Sequence, residues 1–259
     1  MRLPADEIGR DGIAAMVRAA EKKYAENPVG REPLLEAEGL HVDFGRQVVL
    51  RNIDLCIHPG ETVAIIGESG CGKTVLLKSL IGLQRPTRGT IRFDGRDLAA
   101  LHERELTRQR RRIGFVFQQA ALFDSMTVAQ NVAFPLREHS KKRPDQVREI
   151  VLARLAEVGL PEGVVTKKPA ELSGGMRKRV GLARALALEP EAILYDEPTT
   201  GLDPIMSDVI NELILHTCNT RNVTSIVVTH DMRTARRVAH RVIMLYPAAA
   251  AFKRRGPAR

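Results

Sequence analysis

Short apolar runs alternate with longer amphipathic stretches along this chain, and the alternation predicts its fold class. Residues 63–66, 192–196 and 225–230 carry apolar side chains at consecutive or nearly consecutive positions, and each run leads into a loop or a helix. Consecutive apolar positions are typical of strands that are buried on both faces, as in a parallel sheet. Buried strands that alternate with helices indicate a doubly wound α/β core.

The pattern predicts further elements around these runs. Additional strands are expected at residues 34–44, 48–57 and 90–95, with a turn at residues 58–60. Helices are expected to begin near Lys73 and to cover residues 104–112, 141–160 and 176–188.

The two ends of the chain differ in pattern from the part between them. Residues 1–33 form an N-terminal extension with one short amphipathic helix expected at residues 13–20, after which NPVGREP breaks the pattern. Residues 247–259 form a basic tail that we expect to be mobile. Residues 34–246 are therefore expected to make up the folded domain.

Composition narrows the class of protein and of partner. The hydrophobic fraction of 44% and the charged fraction of 27% are close to globular averages, which excludes disordered, collagen-like and coiled-coil chains. With 40 Lys and Arg against 31 Asp and Glu, the net charge of +9 suits an anionic partner such as a nucleotide, a nucleic acid or an acidic membrane face. Aromatic residues make up only 4% and Trp is absent, which weakens the case for a base-stacking surface.

Cysteine usage and hydropathy indicate the compartment. Three cysteines without a C-x-x-C pair favour a reducing cytosol over a disulfide scaffold. No stretch approaches the roughly 18–20 apolar residues that span a bilayer, and the N-terminal sequence MRLPADEIGRDG lacks the apolar centre of a signal peptide. We expect a cytoplasmic chain that reaches a membrane only through a partner.

Residues 67–74 read GESGCGKT and match the phosphate-binding pattern G-x-x-x-x-G-K-[ST]. The glycines let the backbone fold tightly enough for its N–H groups to surround a phosphate, and the helix that follows points its positive end at the same place. A glycine-rich turn is the alternative interpretation, but the buried strand before the motif and the helix after it favour phosphate binding. The expected contacts are Gly67, Glu68, Ser69, Gly70, Cys71, Gly72, Lys73 and Thr74.

Three residues of this loop carry specific interpretations. Lys73 would supply a positive charge to the β- and γ-phosphates, and the Thr74 hydroxyl would bind Mg²⁺. Cys71 is interpreted as a small residue at a variable position rather than as a redox control.

The run ILYDE at residues 193–197 supplies the second half of a phosphoryl-transfer site. Asp196, at the end of a buried strand, can hold Mg²⁺ through water, and Glu197 is the candidate for polarising the attacking water. An apolar run that ends in two acids is a weak signal alone. After a phosphate loop, in this order, it becomes a strong one.

The sequence LSGGM at residues 172–176 predicts a second phosphate-binding surface. Two glycines just before a helix cost stability unless something approaches the backbone closely, and a serine hydroxyl with amides at a helix N-terminus suits an anion. One nucleotide cannot occupy two such surfaces in one small domain. We therefore expect Ser173, Gly174 and Gly175 to cap ATP that is held by a second copy of the chain.

Two basic runs, at residues 104–112 and 177–179, are interpreted as solvated helix faces. A nucleic-acid surface would interleave aromatic residues with the positive charges. No nucleic-acid partner is therefore expected.

The motifs GESGCGKT, LSGGM, ILYDE and VTHD, in this order, resemble those of the nucleotide-binding subunits of ABC transporters. The resemblance covers about residues 34–246. It implies an α/β fold in which a P-loop NTPase (RecA-like) core carries an antiparallel β subdomain and an ABC-type α-helical subdomain at about residues 119–182. It also implies ATP hydrolysis, with ATP and Mg²⁺ bound.

Further residue roles are implied by the resemblance alone. Phe44 falls at the aromatic that stacks on adenine, and Val75 at a nucleotide contact beside the phosphate loop. Asp203 in GLDP resembles the D-loop aspartate. Gln118 in FVFQQ looks like the Q-loop glutamine, which senses Mg²⁺ and the γ-phosphate, and His230 looks like the switch histidine. The implied catalytic residues are Glu197, His230, Gln118 and Lys73, and the implied metal site is Thr74, Gln118 and Asp196.

The stretches ALFDSMTVAQNVAFPLREH, ELSGGMRKRVGLARALALEP and DEPTTGLDPI are similar to the ATPases of Mla-type systems, which serve MCE-protein lipid transporters and move phospholipids between bacterial membranes. This similarity implies a homodimer on the cytoplasmic face of the bacterial inner membrane, with integral-membrane permease subunits and, indirectly, an MCE-domain lipid-binding protein. Residues 120–136 are expected to contribute partly to the core and partly to a docking groove for the permease. The apolar candidates are Leu122, Phe123, Met126 and Phe134.

Other members of the ABC family are alternatives at this point. They are the ATPases of other ABC importers or exporters, the ABC ATPases of DNA repair or translation, and the permease-free ATPases of iron–sulfur assembly. A single phosphate loop without extended heptads argues against the second class, and the permease-facing resemblance at residues 134–136 argues against the third. Past Tyr246, where family members continue with further strands and a C-terminal helix, this chain departs from the pattern and enters Pro247 and an alanine run.

Overall fold

The computed structural model describes residues 32–247, so the helix expected at residues 13–20 and the tail from residue 248 lie outside it. The first element of the fold is an antiparallel sheet in the order β2-β1-β4-β5. Its strands are β1 (Leu35–Phe44), β2 (Gln47–Ile57), β4 (Arg88–Phe93) and β5 (Arg96–Asp97). The strands expected from alternating hydrophobicity at the start of the chain are therefore confirmed, and the short β5 is an addition.

A parallel sheet in the order β6-β7-β8-β3-β9 forms the centre of the molecule. Its strands are β3 (Thr62–Ile66), β6 (Ile113–Val116), β7 (Ala192–Asp196), β8 (Thr224–Thr229) and β9 (Arg241–Met244). The strands β3, β7 and β8 are buried at every position, as their apolar runs predict. The strands β6 and β9 were not expected, because each is four residues long and only partly buried.

Helices connect the strands of the parallel sheet. They are α1 (Lys73–Leu80), α2 (Glu103–Arg110), α3 (Val128–His139), α4 (Pro144–Glu157), α5 (Gly174–Leu186), α6 (Pro204–Arg221) and α7 (Met232–Val238). Two 3₁₀ turns, Glu162–Val164 and Pro169–Glu171, lie between α4 and α5.

Two helix starts differ from the sequence-based expectation, each for a local reason, and α3, α6 and α7 were not expected. The helix expected over residues 141–160 begins only at Pro144, whose fixed φ suits a first helical position. The helix expected from residue 176 begins at Gly174, because Ser173 caps it by accepting a hydrogen bond from the Met176 amide. The whole of α3 was missed, since Pro135 lies inside it, although a capping box at Thr127 and Gln130 starts it.

Two buried clusters hold these layers together. One is shared by the antiparallel sheet, the near face of the parallel sheet and α1, and it contains Leu35, Phe93, Ile65 and Leu77. The other joins α3, α4 and α5 to each other and to the far face of the parallel sheet, through residues such as Val132, Leu155, Val180 and Tyr195. Both faces of the parallel sheet are therefore covered, as a doubly wound core requires.

The topology brings the predicted functional residues to one edge of the parallel sheet. Strands β3, β6, β7 and β8 run in the same direction, so the segments that follow them meet at their carboxyl ends. These segments carry the phosphate loop, Gln118, Glu197 and His230. None of the helices between residues 32 and 247 is both long enough and apolar enough to cross a membrane.

Candidate functional site

A cavity of about 590 Å³ opens at the carboxyl edge of the parallel sheet. Its walls come from the β1–β2 hairpin, the phosphate loop with the start of α1, and the segments after β6, β7 and β8. The residues that line it are Phe44, Gln47, Val49, Ser69, Gly70, Gly72, Lys73, Thr74, Val75, Gln118, Glu197 and His230. The structure thus gathers most of the residues that the sequence motifs single out around one opening.

The backbone of the phosphate loop explains why glycine stands at its two ends. A Cβ on Gly67 would lie 2.5 Å from the Leu245 carbonyl oxygen and 2.7 Å from the Cys71 sulfur, so only glycine fits there. Gly72 has φ 101°, a left-handed conformation that lets the chain turn sharply into α1. Cys71 is buried against the core beneath the loop. Its side chain therefore acts as packing, in keeping with its interpretation as a small tolerated residue.

Lys73 extends along the inside of this loop. Its Nζ donates hydrogen bonds to the carbonyl oxygens of Gly67 at 2.8 Å and Glu68 at 3.0 Å. It also lies 4.0 Å from Glu197 Oε1. The cation is therefore positioned between the loop and the end of β7, where the phosphates of a nucleotide would lie.

Thr74 and Asp196 form an oxygen pair suited to Mg²⁺. The Thr74 hydroxyl donates to Asp196 Oδ1 at 3.1 Å. Burial raises the pKa of Asp196, while the hydrogen bond from Thr74 opposes this shift. Within residues 32–247 no group of three or more His, Cys, Asp or Glu side chains could hold a metal by itself, so phosphate oxygens and water would have to complete the coordination sphere, as Mg²⁺ prefers.

Glu197 is the most constrained side chain of the site. Its Oε2 accepts hydrogen bonds from His230 Nδ1 at 2.7 Å, from the His230 amide at 3.3 Å and from the Thr200 hydroxyl at 3.1 Å. Its backbone has φ 50°, which is unfavourable for a residue with a Cβ. The fold thus maintains a strained backbone conformation at the residue that the sequence marks for water activation.

The wall near the antiparallel sheet offers an exposed aromatic ring. Phe44, at the end of β1, is 49% exposed and faces the cavity. Gln47 and Val49, which no sequence motif indicates, line the same wall. Their spacing was the available signal, because residues two apart on a strand point to the same side of the sheet.

The loop that follows Gln118 is fixed from two directions. Arg184 donates hydrogen bonds to the carbonyl oxygens of Ala120 and Ala121, both of which have positive φ. The buried Asn131 bonds to both the amide and the carbonyl of Phe123. The loop therefore presents Phe123 at 42% exposure, and it links the cavity at Gln118 to the outer surface.

The other three apolar residues that were candidates for the docking groove are half-buried. Leu122 packs against the helical core, and the ring of Phe134 lies 4.8 Å from that of Phe123. Met126 is likewise only partly exposed. The expectation that some of these residues belong to the core and others to the surface matches their burial.

The LSGGM residues and Asp203 do not line the cavity. Ser173 and Asp203 are exposed N-caps of α5 and α6, and Asp203 accepts from the Met206 amide at 2.9 Å. A Cβ on Gly174 would meet no atom closer than 3.8 Å, and a Cβ on Gly175 would meet only the flexible end of Met206 closely. Packing within the protomer therefore gives little reason for two glycines here.

The interpretation of residues 177–179 as a solvated face is wrong for Lys178. Arg177 is exposed and bonds to the Leu172 carbonyl, whereas Lys178 is buried under the segment that follows Glu197. The cause is the position of α5, which packs one side against the end of β7. Sequence alone could not show this, because three consecutive basic residues point to three different directions on a helix.

The interpretation of residues 104–112 as a solvated helix face holds for part of that run. Arg104, Arg108 and Arg111 are exposed. Arg110 donates to the carbonyl oxygens of Ile81 and Gly82, and Arg112 pairs with Glu191 and Asp94. These two arginines are therefore structural links between elements rather than parts of a free charged face.

A buried strand, a glycine-rich phosphate loop and a helix that starts at Lys73, with Asp196 and Glu197 at the carboxyl end of β7 in the same sheet, define a nucleotide-binding protein of the P-loop NTPase fold. The model of the ABC transporter family matches residues 50–200. This chain belongs to the ABC transporter family.

Curated relatives support this assignment at high identity. The "Probable ribonucleotide transport ATP-binding protein mkl" of Mycobacterium tuberculosis is 46% identical over 212 residues, which cover 82% of this chain and 59% of that protein. The "Intermembrane phospholipid transport system ATP-binding protein MlaF" of Haemophilus influenzae is 45% identical over 206 residues, covering 80% of this chain and 78% of that protein. The chain thus spans about three fifths of the length of some of its relatives.

Solved structures agree with the fold. A dimeric ATP-binding cassette in a post-hydrolysis state, bound to ADP and phosphate, is 35% identical with a TM-score of 0.76 and covers 82% of this chain and 94% of its own. A second neighbour, cbiO1 from Clostridium perfringens, part of the ABC transporter complex cbiONQ, is 29% identical with a TM-score of 0.76 and covers 86% of this chain and 92% of its own.

Proposed function

We propose that this chain binds and hydrolyses ATP as the motor subunit of an ABC transporter that moves phospholipids between bacterial membranes. The observation that carries the enzymatic part is the convergence of Lys73, Thr74, Glu197 and His230 on one cavity. Thr74 is hydrogen-bonded to Asp196, and Glu197 lies within ion-pair or hydrogen-bond distance of Lys73 and His230. The set contains a cation for phosphates, oxygen ligands for a metal and a held carboxylate for a water molecule.

The residues divide the reaction between them as follows. Phe44 stacks on the base, and the phosphate loop from Gly67 to Val75 surrounds the phosphates. The Glu197 carboxylate accepts a proton from water as the water oxygen bonds to the γ-phosphorus and the bond to the β–γ bridging oxygen breaks, which gives ADP and phosphate. His230 and Gln118 position these groups around the γ-phosphate. Thr74 and Asp196, with Gln118 on the wall of the same cavity, would hold Mg²⁺, which would neutralise phosphate charge.

A second copy of the chain completes each site in this proposal. Ser173, Gly174 and Gly175 lie outside their own cavity, and the room around Gly174 leaves the start of α5 accessible to an external anion. The amides of a helix N-terminus suit such an anion. The neighbour that binds ADP and phosphate is dimeric, which supports an arrangement with two ATP molecules at the interface.

ATP binding and hydrolysis are tested directly with a charge deletion. Lys73→Ala should abolish nucleotide binding, because the loop loses the cation that lies between it and Glu197. Binding is measured with a fluorescent ATP analogue, and hydrolysis by phosphate release. Wild-type affinity in the variant would contradict the assignment of the phosphate loop.

The transport part of the proposal rests on the relatives and on one surface. A relative of 45% identity is named as an intermembrane phospholipid transport ATP-binding protein, and the loop after Gln118 presents Phe123 next to the cavity. We place the permease on this surface, an MCE-domain lipid-binding protein beyond it, and the chain on the cytoplasmic face of the inner membrane. Another relative is named for ribonucleotide transport, so the cargo requires its own test.

The partner surface is tested with Phe123→Asp. A carboxylate on this exposed ring position should release the co-expressed permease, while ATP hydrolysis by the isolated chain stays near the wild-type rate. Co-purification and phospholipid transfer between labelled vesicles are the two measurements, with Arg104→Asp, on the exposed face of α2, as a matched surface control. Retained co-purification with full lipid transfer would place the docking surface elsewhere.

A further inference from the structure

Lys178 is a buried cation outside the cavity that the motifs do not explain. It lies in the second turn of α5, five residues after the cap Ser173, and is 7% exposed. Its Nζ donates to the carbonyl oxygens of Pro198 at 2.7 Å, Thr200 at 2.7 Å and Glu197 at 3.2 Å. An ammonium group has three N–H donors and no acceptor, so these three carbonyls satisfy it completely.

The three carbonyls belong to the turn that aims the Glu197 side chain. Glu197 leaves β7 with a left-handed φ of 50°, a conformation that costs on the order of 1 kcal/mol for a residue with a Cβ. In the turn that follows, the carbonyl oxygens of Glu197, Pro198 and Thr200 all point toward the Lys178 ammonium group. Converging buried carbonyls repel one another unless a donor lies between them, and Lys178 is that donor.

The same turn fixes the Glu197 carboxylate from the other side. The Thr200 hydroxyl donates to Glu197 Oε2 at 3.1 Å, and His230 Nδ1 lies 2.7 Å from the same oxygen. Thr200 is therefore bonded to Lys178 through its carbonyl and to Glu197 through its hydroxyl. A shift of this turn would move the carboxylate relative to His230.

The surroundings of Lys178 make its charged form costly. Burial lowers the pKa of Lys178 to about 8, and the negative charge of Glu197 only partly offsets this effect. A buried charge is costly unless its hydrogen bonds are satisfied. The carbonyls of the turn supply those bonds.

We infer that Lys178 is a positioning residue, which holds the turn at residues 197–200 and thereby keeps the Glu197 carboxylate in place for hydrolysis. This inference rests on the proposed ATPase function. Because Lys178 projects from α5, the helix that Ser173 caps, the same contact ties that helix to the turn after Glu197 in its own protomer.

Lys178→Met removes the charge and all three donors while it keeps an unbranched side chain. In the nucleotide-free protein, amides of residues 199–202 should exchange hydrogen at least about tenfold faster than in the wild type, because the turn loses its central donor. The kcat for ATP hydrolysis should fall roughly 10–100-fold, the effect of misplacing a catalytic group. The KM for ATP should change less than about twofold, since Lys178 does not line the cavity.

Two further variants separate positioning from general stability. Lys178→Arg keeps a charge and several donors, and it should recover most of the kcat and of the exchange protection. Arg179→Met is the matched control on the same helix, because Arg179 also bonds to a carbonyl, that of Gly159, away from the turn. This control should leave kcat and exchange at residues 199–202 unchanged.

A double variant tests whether Lys178 acts through Glu197. In a Glu197→Gln background the Lys178→Met change should lower the residual kcat by less than about twofold, because the group that it positions is already lost. Equal losses in both backgrounds, or unchanged exchange at residues 199–202, would overturn the inference. If the Met variant does not fold, Lys178→Gln, which keeps two donors on a shorter side chain, is measured in the same way, and wild-type kcat and exchange there would also overturn it.

The outcomes also distinguish this inference from the proposed function. A wild-type chain that hydrolyses no ATP would contradict the proposed function. The exchange measurement needs no nucleotide, so faster exchange in Lys178→Met would still support the role of Lys178 in holding the turn.

Discussion

At the scale of single residues, the fold fixes the Glu197 carboxylate in one position. Its backbone amide donates to the Val228 carbonyl on β8, and its Oε2 accepts from His230 and Thr200. Oε1 faces Lys73 at 4.0 Å. Strands β7 and β8 therefore hold the residue at both its backbone and its side chain, which leaves little freedom for the carboxylate.

Glu197→Gln should retain ATP binding and slow hydrolysis by roughly 10²–10⁴, the usual effect of losing a positioned general base. The amide keeps the size of the side chain but cannot accept the proton from water. Single-turnover hydrolysis and equilibrium ATP binding measure the two effects separately. A variant that hydrolyses ATP at the wild-type rate would remove Glu197 from the proposed mechanism.

At the scale of elements, the end of α4 is tied to its neighbours through one carboxylate. Glu157 accepts from Arg154 on its own helix at 2.7 Å and from Arg221 at the end of α6 at 2.5 Å. Arg154 is buried, and it also donates to Glu189, just beyond α5. The Glu157 carboxylate thus joins α4 to α6 and neutralises a buried arginine.

Glu157→Gln should lower the free energy of unfolding by about 1 kcal/mol at pH 7, because Arg154 and Arg221 lose a charged partner and Arg221 is partly solvated. Burial alone would raise the pKa of Glu157, but the hydrogen bonds from Arg221 and Arg154 lower it below the ordinary value of 4.5. A lowered folded-state pKa stabilises the protein above that ordinary value, and the contribution is lost as the pH falls through the lowered pKa.

The difference between wild type and Glu157→Gln should therefore be largest above pH 5 and shrink in acid. Urea unfolding at a series of pH values measures it, and Glu149→Gln, an exposed position on the same helix, is the control. A difference that stays constant down to pH 3 would show that the ion pairs contribute no net stability.

Sequence pattern succeeded for elements whose burial is uniform. The strands β3, β7 and β8 are apolar at almost every position because both faces are covered, so their runs stand out. The strands β6 and β9 are too short for a pattern, and Pro135 obscured α3. The phosphate loop and the acids after β7 were found because their spacing is local.

Contacts between distant segments could not be found in this way. Gln47 and Val49 reach the cavity only because the β1–β2 hairpin folds over it. Lys178 meets the turn after Glu197 only because α5 packs beside β7. Because Lys178 lies between Arg177 and Arg179 in the sequence, a solvated helix face was the simpler interpretation.

At the scale of the whole molecule, the two proposed phosphate-binding surfaces of one chain do not share a cavity. The phosphate loop lines the cavity, whereas Ser173 and Gly174 lie outside it. A nucleotide in this cavity would therefore not contact Ser173 of the same chain there. We propose that two chains related by a two-fold axis bring each LSGGM surface onto the other's nucleotide, which would make dimerisation depend on ATP.

The molar mass of the Glu197→Gln protein in solution tests this account most directly. With ATP and Mg²⁺ the variant should have twice the protomer mass, because bound ATP persists at the interface, and with ADP it should return to the protomer mass. Adding Gly174→Glu should leave ATP binding intact but keep the protein monomeric, since a Cβ has room there within the protomer and the new carboxylate would repel the partner's phosphates. A Glu197→Gln protein that binds ATP yet stays monomeric at every concentration would contradict the account.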